Sequence, residues 1–437
     1  MAFKDVKNQE AASDLSKRIL ITILLLGVYR MGVFIPTPGI DAKALSSFFA
    51  AAKGTMLDVA TMFTGGALEN FSVFALGIMP YITAAIILQL LTAVVPSIEK
   101  LSKEGEQGRK KITEYTRYLT IVIAIFQAFI ISMGLERMTG SSGESIVMNP
   151  GWGFRLLATI TLTSGTAFIM WLGEQITERG VGNGISLIIT AGIVASMPAA
   201  LGQTITLVRT GQIMFLGAIV LILLVIAIVA IVVYFETAQR RIPIQSPKRI
   251  VGRNVMGGAM QHLPLKLNVS GVIPPIFASS LLLFPATIVT TFDVPALKSV
   301  ASYFDPTGLM YNILFGILII FFAYFYTAIQ FNPKDVAENL KKNGNFVPGI
   351  RPGANTAEYI EKVLERITLW GSLYLAAVCI LPSWVVLKFG APFYFGGTAI
   401  LIVVTVAIDT AQQIESHMLS KSYQGLLKKG KIKGRSS

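Results

Sequence analysis

The side chains that ordinarily carry chemistry are scarce in this chain, and none falls at a spacing that builds a reactive centre. Only two histidines occur, His262 and His417, which removes most histidine-based metal sites and acid–base pairs. The single cysteine, Cys379, lies in an apolar run, so neither a disulfide framework nor a thiol metal site can be built. No Walker-type phosphate loop is present, so work done on a substrate must be powered by a partner. No apolar segment carries a nucleophile beside a base, or a pair of carboxylates. The charged groups that mark the apolar segments are Arg30, Glu174 and Asp409. Each sits toward the end of its run, where snorkelling or interfacial pairing is the ordinary role and a midplane ion site the rarer one. The sequence predicts no catalytic residue, no cofactor and no metal.

The elements that position these groups are themselves apolar. Of 437 residues, 53% are hydrophobic and 14% charged, with a mean hydropathy of +0.64. Ordinary soluble domains carry about 25% charged residues, so this composition describes a polytopic membrane protein. Ten apolar spans are legible. The first five lie near Ile19–Ile35, Phe71–Leu91, Tyr118–Met133, Leu156–Leu172 and Ile185–Leu201. The second five lie near Ile213–Tyr234, Val272–Thr290, Leu309–Ile329, Ile367–Leu387 and Phe393–Ile408. Ahead of the first, "MAFKDVKNQEAASDLSKR" is too long and too acidic for a secretory leader and reads as a retained amphipathic helix.

Lys and Arg orient the chain. With the N-terminus cytoplasmic, that side receives 29 of the 37 basic residues and the outside 7, while Arg30 lies within the first span. This positive-inside asymmetry places both termini in the cytoplasm. Ten spans divide into five and five, so spans one and six run in opposite directions, as an inverted repeat requires, although no motif visibly recurs. The predicted fold class is an all-α polytopic membrane protein of ten transmembrane helices in two pseudo-symmetric halves, 19–201 and 213–408. A cytoplasmic segment, 1–18, and a basic tail, 409–437, flank them.

Two features exceed what topology requires. "MLDVATMFTGGALENF", Met56 to Phe71, has the apolar spacing of a short helix, with Leu57, Ala60 and Phe63 roughly on one side and Gly65-Gly66 as the joint to the second span. A bilayer crossing takes about 20 apolar residues, so this piece cannot span. The second feature is a pair of long cytoplasmic loops. Loop 236–269 carries Arg240, Arg241, Lys248, Arg249, Arg253 and Lys266 against one acid, Glu236, and its "RRIPIQ" reads as a strand of a protruding hairpin. Loop 330–366 carries Lys341 and Lys342 and holds Arg351 in "GIRPG", a tip constrained by Gly349, Pro352 and Gly353. Positive-inside topology explains the sign of these charges but not the loop lengths. Basic protrusions of this kind suit an anionic partner, such as ribosomal RNA or an acidic protein face.

Long specific stretches run in order from the first span to the last: "TMFTGGALENFSVFALGIMPYITAAIILQLL", "KEGEQGRKKITEYTRY", "MWLGEQITERGVGNGISLIITAGIVA", "HLPLKLNVSGVIPPIFASSLLLFPATI", "FNPKDVAENLKKNGNFVPGIRPG" and "PFYFGGTAILIVVTVAIDT". Through them the chain resembles the SecY family, channel subunits of the bacterial Sec protein-conducting translocon. The clearest departures are the outer loop around Asp293–Asp305 and the end of the tail, which bear on partner contacts.

The resemblance implies a passive, non-enzymatic pore in the cytoplasmic (inner) membrane. Such a pore passes unfolded secretory polypeptides outward and releases hydrophobic segments laterally into lipid. The short helix becomes a plug, here Leu57, Asp58, Val59, Ala60, Thr61, Met62, Phe63, Thr64, Gly65 and Gly66, with the two glycines as a hinge of low steric cost. An interfacial re-entrant helix with no gating role is the competing reading of that segment. An apolar pore ring is implied at Ile78, Ile82, Ile189, Ile276 and Ile402. Ile78 and Ile82, four apart, face one side of their helix. Such a ring excludes water and ions by dewetting, yet offers no ligand that would trap a sliding chain.

The implied lateral gate includes Pro80, Gln89, Gln127, Asn268, Pro274 and Pro275, the prolines loosening their helices. Ordinary interhelical hydrogen bonding remains open for the three amides. Lys248, Arg249, Arg253, Lys341, Lys342 and Arg351 are implied docking residues for the SecA motor ATPase or the ribosome, rRNA included. SecE and SecG subunits, a signal sequence and membrane lipid complete the implied partners. The alternative, a secondary transporter with inverted repeats, would need a polar midplane site between broken helices. An intramembrane enzyme would need catalytic groups.

Overall fold

A computed structural model describes residues 2–51, 61, 64–138, 144–211, 215–246, 249–251, 254–256, 260–291, 308–389 and 396–429. Apart from one hairpin assembly, the described elements are α-helices: α1 Ala2–Val33, α2 Ala42–Ala51, α3 Met79–Val94, α4 Pro96–Lys103, α5 Glu106–Arg137, α6 Trp152–Arg179 and α7 Gly184–Arg209. After them come α8 Phe215–Thr237, α9 Ile273–Thr291, α10 Leu309–Gln330, α11 Pro333–Lys342, α12 Ala354–Phe389 and α13 Gly397–Lys429. Among the described residues, seven helices are long and apolar enough to cross a bilayer. The pair α3–α4, bent by 100°, makes an eighth, and Ile273–Leu283 is a shorter apolar helix. Each apolar run read from the sequence falls at least partly in one of these helices or in α1. The protein is an all-helical, multi-pass membrane protein.

Several helices outrun their apolar cores. The N-terminal segment and first span form one helix, and α13 carries the last span far into the tail. The second span corrects the sequence reading: its helix starts at Met79, and residues 71–78 are buried turns rather than helix. Phe71 at φ 39° and Gly77 at φ 56° lie outside helical backbone space, so the apolar run is broken before it reaches the helix. Pro80 is also corrected. It stands in the first turn of α3, where no intrahelical bond is lost, so it starts the helix instead of loosening it. The bend falls at Val95, ahead of Pro96.

The described residues group into two compact units. One draws on Met1–Arg209, Leu283–Pro306 and Ile402–Ser437, the other on Thr210–Leu282 and Thr307–Leu401. In the first unit α5 packs against α3 and α6, and α1 against α6 and α7. Thr116, Thr120, Ala124, Ala128 and Ser132 recur every fourth residue of α5 and are all buried. Small side chains on one stripe let helix backbones approach closely where lipid provides no hydrophobic drive.

In the second unit α10 packs along α12, and α8 touches α12 through Phe235 stacked on Tyr374 at 4.3 Å. The predicted hairpin is present: β1 Gln239–Gln245 pairs antiparallel with β4 Met260–Lys266, and β2 Arg249–Val251 pairs with β3 Asn254–Met256. Strand alternation turns Ile242 and Ile244 inward and leaves Arg241 and Pro243 exposed. α11 begins as its sequence dictates, with the Asn332 side chain accepting from the Lys334 amide and Pro333 in the first turn.

Candidate functional site

The joint before the second span is a closed turn. The Gly66 amide donates to the Thr61 carbonyl at 3.0 Å, while Gly65 (φ 63°) and Gly66 (φ 85°) supply left-handed backbone. The Thr64 hydroxyl donates to the Thr61 carbonyl at 3.1 Å and accepts from the Leu68 amide at 3.3 Å. From Thr64 to Ile78 most of the chain is buried, Ala67 and Ser72 completely so, while Glu69 and Asn70 are exposed. Leu57, Asp58, Val59, Ala60, Met62 and Phe63 lie outside the described residues.

Two side chains of α1 hold this joint. Tyr29 Oη donates to the Thr64 carbonyl at 3.1 Å, and Arg30 Nη1 donates to the Gly65 carbonyl at 2.8 Å. Arg30 therefore reaches a backbone partner 35 residues away instead of simply snorkelling. Sequence reasoning missed Tyr29 altogether. The signal available was a charged residue beside the far end of the first span, which reports depth but not its acceptor. Glu174 does pair near a helix end, accepting from Arg117 Nε at 2.6 Å.

The five isoleucines are all buried. Ile82 donates its amide to the Ile78 carbonyl at 3.1 Å, so these two stack one turn apart although Ile78 is the residue just before α3. Ile78, Ile82, Ile189 and Ile402 belong to the first unit and Ile276 to the second. Their side chains offer no polar ligand.

Among the proposed gate residues, Asn268 is committed. Its buried amide donates to Glu236 Oε1 at 2.7 Å and to the Gly271 carbonyl at 3.0 Å, and its oxygen accepts from Ser270 at 3.1 Å. It fastens the end of α8 to the approach to α9. Pro274 and Pro275 stand in the opening turn of α9, both buried; like Pro80 they cost no intrahelical bond there, so they start the helix instead of loosening it. Gln89 and Gln127 are half-buried, and the Gln89 side-chain oxygen lacks a hydrogen-bond partner among the described residues.

The two long loops, 236–269 and 330–366, form one folded module. Gln245 and Phe346 exchange backbone hydrogen bonds at 2.9 and 3.1 Å, and Ser246 donates to Asn345 at 2.8 Å. Beneath them Ile242, Leu265, Val347, Ile360 and Ile367 make a common apolar core. Arg351 is exposed between Gly349 (φ 83°) and Gly353 (φ 112°), its own carbonyl accepting from the Thr356 hydroxyl at 2.9 Å. Lys342 pairs with Glu338 at 2.9 Å on the surface of α11. Arg249 lies in β2, whereas Lys248 and Arg253 lie outside the described residues. Exposed Lys341, Lys342 and Arg351 thus stand on a folded base with its own apolar core.

Comparison with known proteins agrees with this division of labour. A family profile for SecY matches residues 72–411. The chain is 50% identical over 425 residues to protein translocase subunit SecY of Escherichia coli, covering 96% of each chain. A solved chain described as "The structure of a protein conducting channel" superposes with a TM-score of 0.67 at 17% identity, over 96% of this chain and 95% of that one. Another, Sec61 in the canine ribosome–channel complex from the endoplasmic reticulum, gives 0.64 at 16% identity, over 96% and 95%. The profile covers most of the chain, including the five isoleucines and both long loops, and the identity runs nearly end to end, so this chain belongs to the SecY family.

Proposed function

We propose that the chain is the protein-conducting pore of a translocase in the cytoplasmic membrane, with both termini in the cytoplasm. It passes unfolded secretory polypeptides and releases hydrophobic segments into lipid. The observation that carries this reading is the non-helical run from Gly65 to Ile78 leading into α3, buried over most of its length apart from Glu69 and Asn70. Irregular backbone is tolerated at membrane depth only where protein buries it or a cavity receives it, so a segment of this kind marks a funnel. Ile78, Ile82, Ile189, Ile276 and Ile402 are the proposed apolar lining, and Leu57–Gly66 the plug.

Energy comes from outside, as the SecY family is one of translocation channels rather than enzymes. The SecA motor or the translating ribosome, through rRNA, docks on the module carrying Arg249, Lys341, Lys342 and Arg351, with Lys248 and Arg253 of the same loop sequence as further candidates. SecE and SecG complete the channel. Pro80, Gln89, Gln127, Asn268, Pro274 and Pro275 flank the exit to lipid, and Asn268 there serves as a fastener for the base of α9.

Vesicles containing the chain, SecE and SecG, supplied with SecA and ATP, test this reading. Signal-bearing polypeptide should become protease-protected while small-solute uptake stays at background. Solute uptake without polypeptide protection would overturn it in favour of a transporter.

A further inference from the structure

The grip of α1 on the joint has a consequence for how the pore opens. Tyr29 and Arg30 each donate to a backbone carbonyl, those of Thr64 and Gly65, where the chain turns through left-handed backbone; the Thr64 carbonyl also accepts from the Ala67 amide at 3.3 Å. A cation beside such carbonyls is also favoured by the local dipole. Both donors are held in place. The Tyr29 ring is 2% exposed and stacks on Phe74 at 6.0 Å, and Phe74 stacks on Phe168 at 6.0 Å. The Arg30 guanidinium lies 5.3 Å over the Phe34 ring. Gly65 also lies against Gly192 of α7, where an added Cβ would stand 3.5 Å from the Tyr29 hydroxyl. The joint is therefore held to α1 by two hydrogen bonds and rests on α7 through a backbone contact.

We infer that Tyr29 and Arg30 form a latch whose release is a step in opening, so that they position the plug and set how often the channel opens unprompted. The inference rests on the pore reading above. Acceptors that are backbone carbonyls allow the latch to break and remake without rearranging side chains. The two donors are unequal: a hydrogen bond from a charged group biases a two-state joint about 10- to 100-fold, a neutral hydroxyl several-fold. Arg30 is the main catch and Tyr29 the secondary one.

The test uses the full chain with SecE and SecG in planar bilayers without substrate, and compares Arg30→Met with Tyr29→Phe. Arg30→Met keeps length and apolar packing; Tyr29→Phe keeps the stack on Phe74 and removes only the hydroxyl. Spontaneous openings should rise about 10- to 100-fold in the first and several-fold in the second. Arg30→Lys should fall between Arg30→Met and wild type, since the charge remains but the ammonium lacks the reach and planar fork of the guanidinium. Hydrogen exchange at the Gly66 and Leu68 amides, a readout independent of conductance, should quicken in the same order. Should Arg30→Met fail to insert, Tyr29→Phe still decides. Variants that insert and translocate but open as rarely as wild type overturn the latch. Faster exchange with unchanged conductance also overturns its gating role. A wild type that passes no polypeptide instead strikes down the pore reading, and the latch with it.

Discussion

Gly65 rests so closely on Gly192 that a Cβ built on Gly65 would stand 2.6 Å from the Gly192 Cα. The contact is asymmetric. Gly65 has φ 63°, so a side chain there is strained as well as obstructed, whereas Gly192 sits in regular helix and a Cβ on it would find the Gly65 nitrogen at 3.2 Å. Gly65→Ala is therefore expected to destabilise the joint by about 1–2 kcal/mol from backbone conformation alone, with the collision in addition. Gly192→Ala should cost less. Spontaneous ion conductance of the reconstituted channel should rank Gly65→Ala above Gly192→Ala above wild type.

The fastener between α8 and α9 gives a second prediction. Asn268→Ala removes donors to Glu236 and Gly271 together, in a site where Asn268 is 4% exposed. Weakening the solvation of a buried carboxylate costs about 1–3 kcal/mol or more. Asn268→Asp should be worse than Asn268→Ala, because it sets a second carboxylate against Glu236. Thermal unfolding in detergent should show that order, and equal midpoints for the two variants would count against it.

These two sites also show what the sequence could and could not disclose. The spans, the strand "RRIPIQ" and the break at Gly65-Gly66 were legible because each is a local pattern: apolar length, period-two alternation, paired glycines. The start of α3 was not. "FSVFALGI" is as apolar as a helix, and hydropathy does not distinguish a buried turn from a span. The partners of Arg30 and Asn268 were hidden for another reason. Gly65 is 35 residues from Arg30 and Glu236 is 32 from Asn268, and single-sequence reasoning brings no such pairs together. The same limit concealed that loops 236–269 and 330–366 share one core.

That shared core predicts coupled behaviour. Ile360 is fully buried in α12 and belongs to a core that includes Ile242 and Leu265 of the hairpin. Ile360→Ala should cost about 2–5 kcal/mol and loosen both loops at once. Limited proteolysis should then cut the hairpin and the Arg351 loop faster in parallel. Cleavage of the Arg351 loop alone would show that the loops fold independently.

Arg351 itself separates docking from topology. A planar guanidinium suits bidentate contact with phosphate or carboxylate, which Lys cannot copy. Arg351→Glu should impair motor- or ribosome-driven translocation while leaving insertion and the ion seal intact, and Arg351→Lys should rescue little. Near-normal rates for Arg351→Glu in vesicles would reduce this residue to a topology signal.

The central claim is that polypeptide passes through this chain along the isoleucine lining. Photo-crosslinkers placed one at a time at positions 82, 189, 276 and 402 test it most directly, with a polypeptide arrested in mid-passage. Position 222 serves as control, since Ile222 is 54% exposed on the apolar surface of α8. The account predicts adducts to the arrested polypeptide from the four lining positions and none from position 222. Adducts to lipid alone from the lining positions, or polypeptide adducts concentrated at position 222, would contradict it.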